Sequence, residues 1–315
     1  MSNCNFFELP PPLLAILGPT AAGKTGLSVK LSEYFNVEVI NCDSRQVYRE
    51  MDIGTAKPTP DERQKVTHHF LDIIAPDESF NAGHFVACAR PLLAKIWSEK
   101  KTPLVVGGTG FYFDALIQGL PEIGENEAIR NELQEAFFRN GIGVLLKELS
   151  KLDPEAAEHV DVANPRRLLR ALEMIKLSGL SLKEIEEKRE KLNARVLPFL
   201  INLPRNLLVE RIYKRVDEMI ESGLENEAKT LFEKYGEDAE GLNTIGYHEW
   251  RDYWEGKTKF SETVESIKIH TRQYAKRQVT WFKKRPGGDF LDPSEAGTFD
   301  AIVQSIKTFL DFKTR

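Results

Sequence analysis

The chain has 315 residues, of which 41% are hydrophobic and 29% charged, with a formal net charge of -5. That balance is ordinary for a globular protein and excludes a disordered or fibrous chain. No window has the apolar length of a membrane span, and the acidic balance argues against a general nucleic-acid binder while allowing a local basic face. The start, MSNCNFFELPPP, has neither a basic n-region nor an apolar h-region, so no export signal is expected. Cys4, Cys42 and Cys88 form no CxxC pair, which fits reduced thiols in the cytoplasm.

In chain order, LLAIL after Pro10, Pro11 and Pro12 predicts a buried strand. Residues 23–35 predict the helix that follows, with Leu27, Leu31 and Phe35 four apart. VEVINCDS predicts a second strand ending at Asp43, and MDIGTAKPTPDE a loop rich in Gly, Pro and Thr. HHFLDII is a short strand candidate, residues 80–100 a helix, and TPLVVGGTG a strand running into a glycine turn. Adjacent His68 and His69 would point to opposite faces of a strand, which disfavours them as a metal pair. Alternating strands and helices predict a parallel sheet covered by helices, with ligands at the carboxyl ends of its strands. From about Glu125 to Arg195 only helical periodicity is found, which predicts an all-helical insertion. VLPFLINLPR returns to strand character, and long helices follow over 206–222 and 261–282.

Between the first strand and its helix lies Gly18-Pro19-Thr20-Ala21-Ala22-Gly23-Lys24-Thr25, which matches G-x-x-x-x-G-K-[ST]. Glycines let the backbone wrap a phosphate, and the helix N-terminus aims N–H groups at it. Lys24 adds a mobile cation, and Thr25 offers a hydroxyl to magnesium. A nucleotide hydrolase would also want an acid at the end of a later apolar strand. PLVVGGTG ends in glycine, whereas the NCDSRQVYRE segment supplies Asp43. That carboxylate suits either magnesium or the proton of an acceptor; taken alone it reads first as a strand-end or helix N-cap carboxylate. Ser44, Arg45, Gln46 and Tyr48 suit a base edge or a ribose, or simply a polar turn. Thr109, in the second glycine turn, could bond a phosphate or an amine.

A basic run hides within the acidic total. Lys268, Arg272, Lys276, Arg277, Lys283, Lys284 and Arg285 occur with no acid among them, interleaved with Tyr274, Trp281 and Phe282. Charges one turn apart share a helix face, which suits an RNA backbone; the aromatics are expected in the core. Arg166, Arg167 and Arg170 form a second cluster inside the insertion, suggesting a large anion gripped from two sides. Arg211 and Arg215 could instead pair with Glu210, Asp217 or Glu218.

GPTAAGKT, CDSRQVYREMDIGTAKP, HHFLDI, VVGGTGFY, NPRRLLRALE, ERIYKRVDEMI, TIGYHEW and TRQYAKRQVTWFKKR together resemble the bacterial tRNA dimethylallyltransferases, or tRNA isopentenyltransferases, over residues 18–285. Phe111 and His248 stand where leucine and lysine are usual. The resemblance implies an α/β fold: a P-loop NTPase-like core with a parallel sheet flanked by helices (1–120 and 198–315), plus an all-helical insertion domain (121–197) that contacts the tRNA anticodon stem-loop. It implies transfer of a dimethylallyl group from dimethylallyl diphosphate to N6 of adenosine 37, in tRNAs reading codons that begin with U, with Mg2+ as cofactor. Asp43 would be the base, with Lys24, Thr109 and Arg215 also catalytic. Residues 18–25 would hold the donor, and Thr25 the metal. Asp43, Ser44, Arg45, Gln46, Thr109, Arg130, Arg166, Arg167, Lys276 and Arg277 would meet the tRNA. A monomer in the cytoplasm is expected. The competing readings are a P-loop small-molecule kinase, which leaves the basic run without a purpose, and a non-catalytic RNA-binding or nucleotide-switch protein.

Overall fold

The computed structural model describes residues 9–161, 164–284 and 290–312. It divides into two compact units, one of residues 1–116 and 193–315 and one of residues 117–192. In the first, β1 (Pro12–Leu17), β2 (Val37–Cys42), β3 (His68–His69), β4 (Thr102–Gly107) and β5 (Arg195–Leu200) form one sheet in the order β3-β2-β4-β1-β5. All the pairings are parallel. β1 is a near-continuous apolar run because a parallel sheet covered on its faces buries its side chains; β2 is buried along its whole length although it carries Glu38 and Asn41. The register sets Leu17 beside both Gly107 and Leu200, and Cys42 beside Gly107. Four strands therefore end level, and whatever follows each of them meets at one edge.

The first half of the core adds α1 (Lys24–Ser32), α2 (Pro60–Lys65), α3 (Ala82–Ser98) and α4 (Gly110–Gln118). The helical segment of the chain adds α5 (Glu127–Asn140), α6 (Ile142–Leu152), α7 (Pro154–His159), α8 (Pro165–Ser178) and α9 (Leu182–Glu187). After β5 come α10 (Arg205–Glu221), α11 (Leu224–Tyr235), α12 (Trp250–Trp254), α13 (Phe260–Lys283) and α14 (Thr298–Asp311). Leu27 and Leu31 of α1 and Ile302, Val303 and Ile306 of α14 pack with sheet residues in one apolar cluster. A smaller cluster joins Ala21 to Leu208 and Ile212 of α10 and Ala275 of α13, so the loop after β1 is packed against both helices.

The second unit has its own core of Leu133, Leu145, Leu149, Leu168, Leu172, Ile175 and Ile185. Its helices are bounded by sequence-local caps. Asn126, Asp153, Asn164 and Ser181 each accept a backbone N–H in the first turn of the helix they open.

Two expected elements are shorter than predicted. α1 stops at Ser32, and Phe35 turns back onto the sheet cluster after a turn closed on the Leu31 carbonyl. HHFLDII yields only the two residues of β3, because Phe70 (φ 63°) and Asp72 (φ 58°) take left-handed conformations that break an extended chain.

Candidate active site

The loop from Gly18 to Thr25 closes over the end of β1. Gly23, at φ 89°, opens α1 in a left-handed conformation that glycine adopts without strain. Ala21 holds φ 62° with a side chain present, a local strain kept by its packing against α10 and α13. Gly18, Pro19 and Ala22 are buried beneath the loop, while Thr20, Ala21, Gly23, Lys24 and Thr25 line a cavity of about 520 Å³. Lys24 Nζ donates to the Pro19 carbonyl at 2.7 Å. Burial pushes the Lys24 ammonium down to about 8; Asp43 opposes the fall and the Arg215 cation adds to it. Arg215 Nη1 donates to Thr20 Oγ1 at 3.4 Å, and burial lowers the guanidinium below its usual value.

α13 locks the loop in place. The Thr20 N–H donates to Gln278 Oε1 at 2.9 Å, and Gln278 Nε2 donates to the Gly108 carbonyl at 3.0 Å. Gln278 is buried and thereby couples the loop after β1 to the turn after β4. A Cβ on Gly108 would lie 2.1 Å from Gln278 Nε2 and 3.1 Å from the Gly18 carbonyl oxygen, so a side chain there would displace the Gln278 amide.

Asp43 follows β2 on the same edge. Its Oδ1 accepts the N–H of Arg45 at 2.8 Å and of Gln46 at 3.4 Å, so the carboxylate also serves as the turn acceptor that sequence reading allowed. Thr109 Oγ1 accepts the Ser44 N–H at 3.1 Å. Tyr274 of α13 bonds Thr109 as well; burial, and then the Asp43 charge, push its hydroxyl up to about 12. Asp43, Thr20 and Arg215 line the first cavity and a neighbouring one of about 310 Å³. Ser44, Arg45, Tyr274 and Arg277 line the second.

The GTAKP loop forms a further wall. Glu227 of α11 accepts N–H groups from Asp52, Ile53 and Gly54 at 2.8–3.1 Å and the Tyr247 hydroxyl at 2.6 Å. Gln46 Nε2 donates to the Thr55 and Ala56 carbonyls at 3.0 and 3.1 Å, so its amide is engaged by this loop. Lys57 is buried, donates to the Tyr48 carbonyl at 2.6 Å, and pairs with Asp52 at 2.7 Å and with Asp72.

The expected basic surfaces divide. Lys276 and Arg277 are exposed on α13, with the Arg277 guanidinium 5.7 Å from the Tyr274 ring centre. Arg272 donates to the Tyr213 hydroxyl at 3.2 Å. Lys268 does not join the exposed charges: it is largely covered and pairs with Asp217 at 2.6 Å. Phe282 lies in the core as expected, and Trp281 Nε1 donates to Asp114 at 3.0 Å. Tyr274 departs from that expectation by facing the cavity. Arg215 likewise turns to the loop and not to the acids of its own helix. In the helical unit Arg166 and Arg167 are exposed, the latter 3.5 Å from Asp161. Arg130 pairs with Glu125 at 3.0 Å and buried Glu173 at 3.2 Å. Arg170 leaves the basic cluster: it donates to Glu173 and to the Ile123 and Gly124 carbonyls. Arg285 and Cys4 lie outside the described residues.

Sequence reading missed Gln278, Glu227 and Tyr247 as site supports. Tyr274 and Gln278 stand four apart, a spacing that puts them on one helix face, and that signal was open to reading. Glu227, in contrast, has no local mark.

A glycine loop with its lysine, at the end of a parallel strand and sharing a cavity with a carboxylate and a half-buried arginine, defines an α/β protein of the P-loop-like class. The signature of the IPP transferase family matches residues 46–285. The tRNA dimethylallyltransferase of Halalkalibacterium halodurans is 41% identical over 302 residues, covering 95% of this chain and 96% of that protein. The solved tRNA isopentenylpyrophosphate transferase of Bacillus halodurans matches with TM-score 0.70 and 40% identity over 95% of each chain. A eukaryotic dimethylallyltransferase acting on tRNA matches with TM-score 0.76 and 29% identity over 86% of this chain and 70% of that one. The chain belongs to the IPP transferase family.

Proposed function

We propose that this protein transfers the dimethylallyl group of dimethylallyl diphosphate to N6 of adenosine 37 in tRNAs reading codons that begin with U. The observation that carries the reading is the pair of cavities sharing Asp43 and Arg215 as common walls. One offers the cationic loop for a diphosphate, and the other a chamber of mixed polar and apolar lining, with Ser44, Arg45 and Tyr274 on its wall, for a base.

The exocyclic amine of adenine is a weak nucleophile because its lone pair is delocalised into the ring. A carboxylate within hydrogen-bond reach removes its proton as the new bond forms. Asp43 takes that role: N6–C1 forms, the C1–O bond to diphosphate breaks, and the N6 proton passes to the carboxylate. The diphosphate departs with its phosphorus–oxygen bonds intact. Growing charge on the departing oxygens is met by Lys24, Arg215 and the N–H groups of residues 18–25. Lys24, resting on the Pro19 carbonyl, swings to the anion, whose charge stabilises its ammonium. Thr109 and Tyr274 hold the Ser44 turn against which the base docks.

Family membership implies a metal-dependent reaction. The Thr25 hydroxyl, in the first turn of α1 and on the wall of the first cavity, fits a hard cation, which takes a hydroxyl, phosphate oxygens and water. Thr25 would contribute its Oγ1 to Mg2+, and the ion would supply charge neutralisation at the diphosphate.

N6 lies on the Watson–Crick edge, so the adenine must leave its stack; an anticodon loop keeps that cost to a few kcal/mol. Asp43 to Gln46 face the extruded base, with Gln46 acting through the loop it holds. Lys276 and Arg277 meet backbone phosphates, as do Arg166 and Arg167 of the helical unit; Arg130 would join them by exchanging Glu125 for phosphate. We assign the protein to the cytoplasm as a single chain; no described helix is long and apolar enough to cross a membrane. Incubation with dimethylallyl diphosphate, Mg2+ and unmodified tRNA, followed by nucleoside mass spectrometry, tests the reading. N6-(dimethylallyl)adenosine is expected, and its absence from correctly folded protein would overturn it.

A further inference from the structure

Three side chains outside the proposed chemistry converge beside the second cavity. His248 and Glu249 lead into α12, and His270 projects from α13. One ring nitrogen of each histidine and one Glu249 oxygen lie within 4.8 Å of one another. Each group is oriented from behind. The Glu249 side chain is 3% exposed, and its Oε2 accepts the Gly246 N–H at 2.8 Å. His248 Nδ1 lies 2.8 Å from the Thr244 carbonyl oxygen. A carbonyl only accepts, so Nδ1 carries the hydrogen and Nε2 keeps its lone pair. His270 Nδ1 lies 2.8 Å from Glu249 Oε1. The two rings are nearly parallel, at 20°, with centres 5.8 Å apart. At 35% and 41% side-chain exposure they are open to a hydrated ion.

We propose that His248, Glu249 and His270 form a site for a divalent ion of the zinc class, separate from the hard cation of the phosphate loop. Two imidazoles and one carboxylate are a donor set that zinc takes with three protein ligands and water in the fourth position. Imidazole nitrogens disfavour magnesium and calcium, which seek oxygen. Zinc–ligand distances of about 2.0–2.1 Å put tetrahedral donors roughly 3.3 Å apart. The His270–Glu249 pair is already within that span at 2.8 Å; the His248 nitrogen nearest the carboxylate is Nδ1, 3.5 Å from Glu249 Oε2, so its ring must turn to bring Nε2 to the ion. The backbone contacts at Thr244 and Gly246 are the outer-shell supports that aim such ligands. An ion here satisfies a buried carboxylate that otherwise has only neutral donors when the histidines are unprotonated. It also ties α12 to α13, the helix that presents Tyr274, Arg277 and Gln278.

The test uses untagged, full-length protein stripped with a chelator and titrated with Zn2+ by calorimetry, with and without millimolar Mg2+. One equivalent should bind at micromolar Kd or tighter, unaffected by Mg2+, and should raise the melting temperature by mass action. His270→Ala and His248→Lys should each weaken binding at least about tenfold and abolish the thermal shift. His248→Lys gives Glu249 a fixed cation in place of the ion, so it guards against simple misfolding, which circular dichroism checks independently. No saturable binding by the wild type, or binding and thermal shift unchanged in both variants, would overturn the site.

Discussion

Lys24 is held in a state that destabilises the free protein. Burial lowers its pKa from the ordinary 10.5 to about 8, so the folded chain holds this proton less tightly than the unfolded chain. Between these two values the unfolded state binds more protons, and stability rises with pH across that window. Replacing the ammonium by a neutral chain removes the cost: Lys24→Met should stabilise the fold by about 1–3 kcal/mol at pH 7, measured by denaturant unfolding. The gain should fade as pH rises from about 8 and vanish above 10.5. The same variant should lose affinity for dimethylallyl diphosphate, because it removes a cation that meets the anion. In the wild type, donor affinity should weaken above about pH 8 as Lys24 of the free protein deprotonates. The motif around Lys24 was fully legible in sequence. Its depressed pKa was not, since that depends chiefly on burial by elements that pack over the loop, with Arg215, 191 positions away by number, adding to it.

At the scale of elements, the site is a set of strand ends whose loops are pinned by later helices. The strands were readable because burial on both faces leaves an apolar run, and their level ends follow from parallel pairing. The pins were less readable. Glu227 lies in an ordinary amphipathic pattern of α11, and nothing local says that its carboxylate will cap the Asp52–Gly54 turn. Lys57, in the small-residue GTAKP loop, is a buried tie between Asp52 and Asp72, which no local pattern announces. Glu227→Ala should leave several N–H groups and the Tyr247 hydroxyl without their acceptor and cost about 2–4 kcal/mol in urea unfolding. Because Thr55 and Ala56 line both cavities, donor and tRNA affinities should fall together in that variant, even at temperatures where it stays folded.

Across the whole molecule the net charge of -5 conceals where RNA would be met. Local ion pairs decide which cations remain for phosphate: Lys268 and Arg170 are consumed internally, whereas Lys276, Arg277, Arg166 and Arg167 stay exposed. Helical spacing showed which of these share a face, and Glu173 stands one turn from Arg170 on the same helix, but Asp217, which takes Lys268, comes from another helix. The logarithm of tRNA affinity should fall linearly with the logarithm of salt, and Lys276→Ala and Arg277→Ala should each reduce that slope by about 1. Filter binding from 50 to about 200 mM salt reads this out, and a flat response would remove α13 from the interface. The central claim is that Asp43 takes the amine proton while the first strand's loop holds the departing diphosphate. Its most direct test is the single-turnover rate of tRNA alkylation by Asp43→Ala, read alongside donor affinity. The rate should drop by about 10²–10⁴-fold with donor affinity nearly unchanged, and a rate close to wild type would contradict the mechanism.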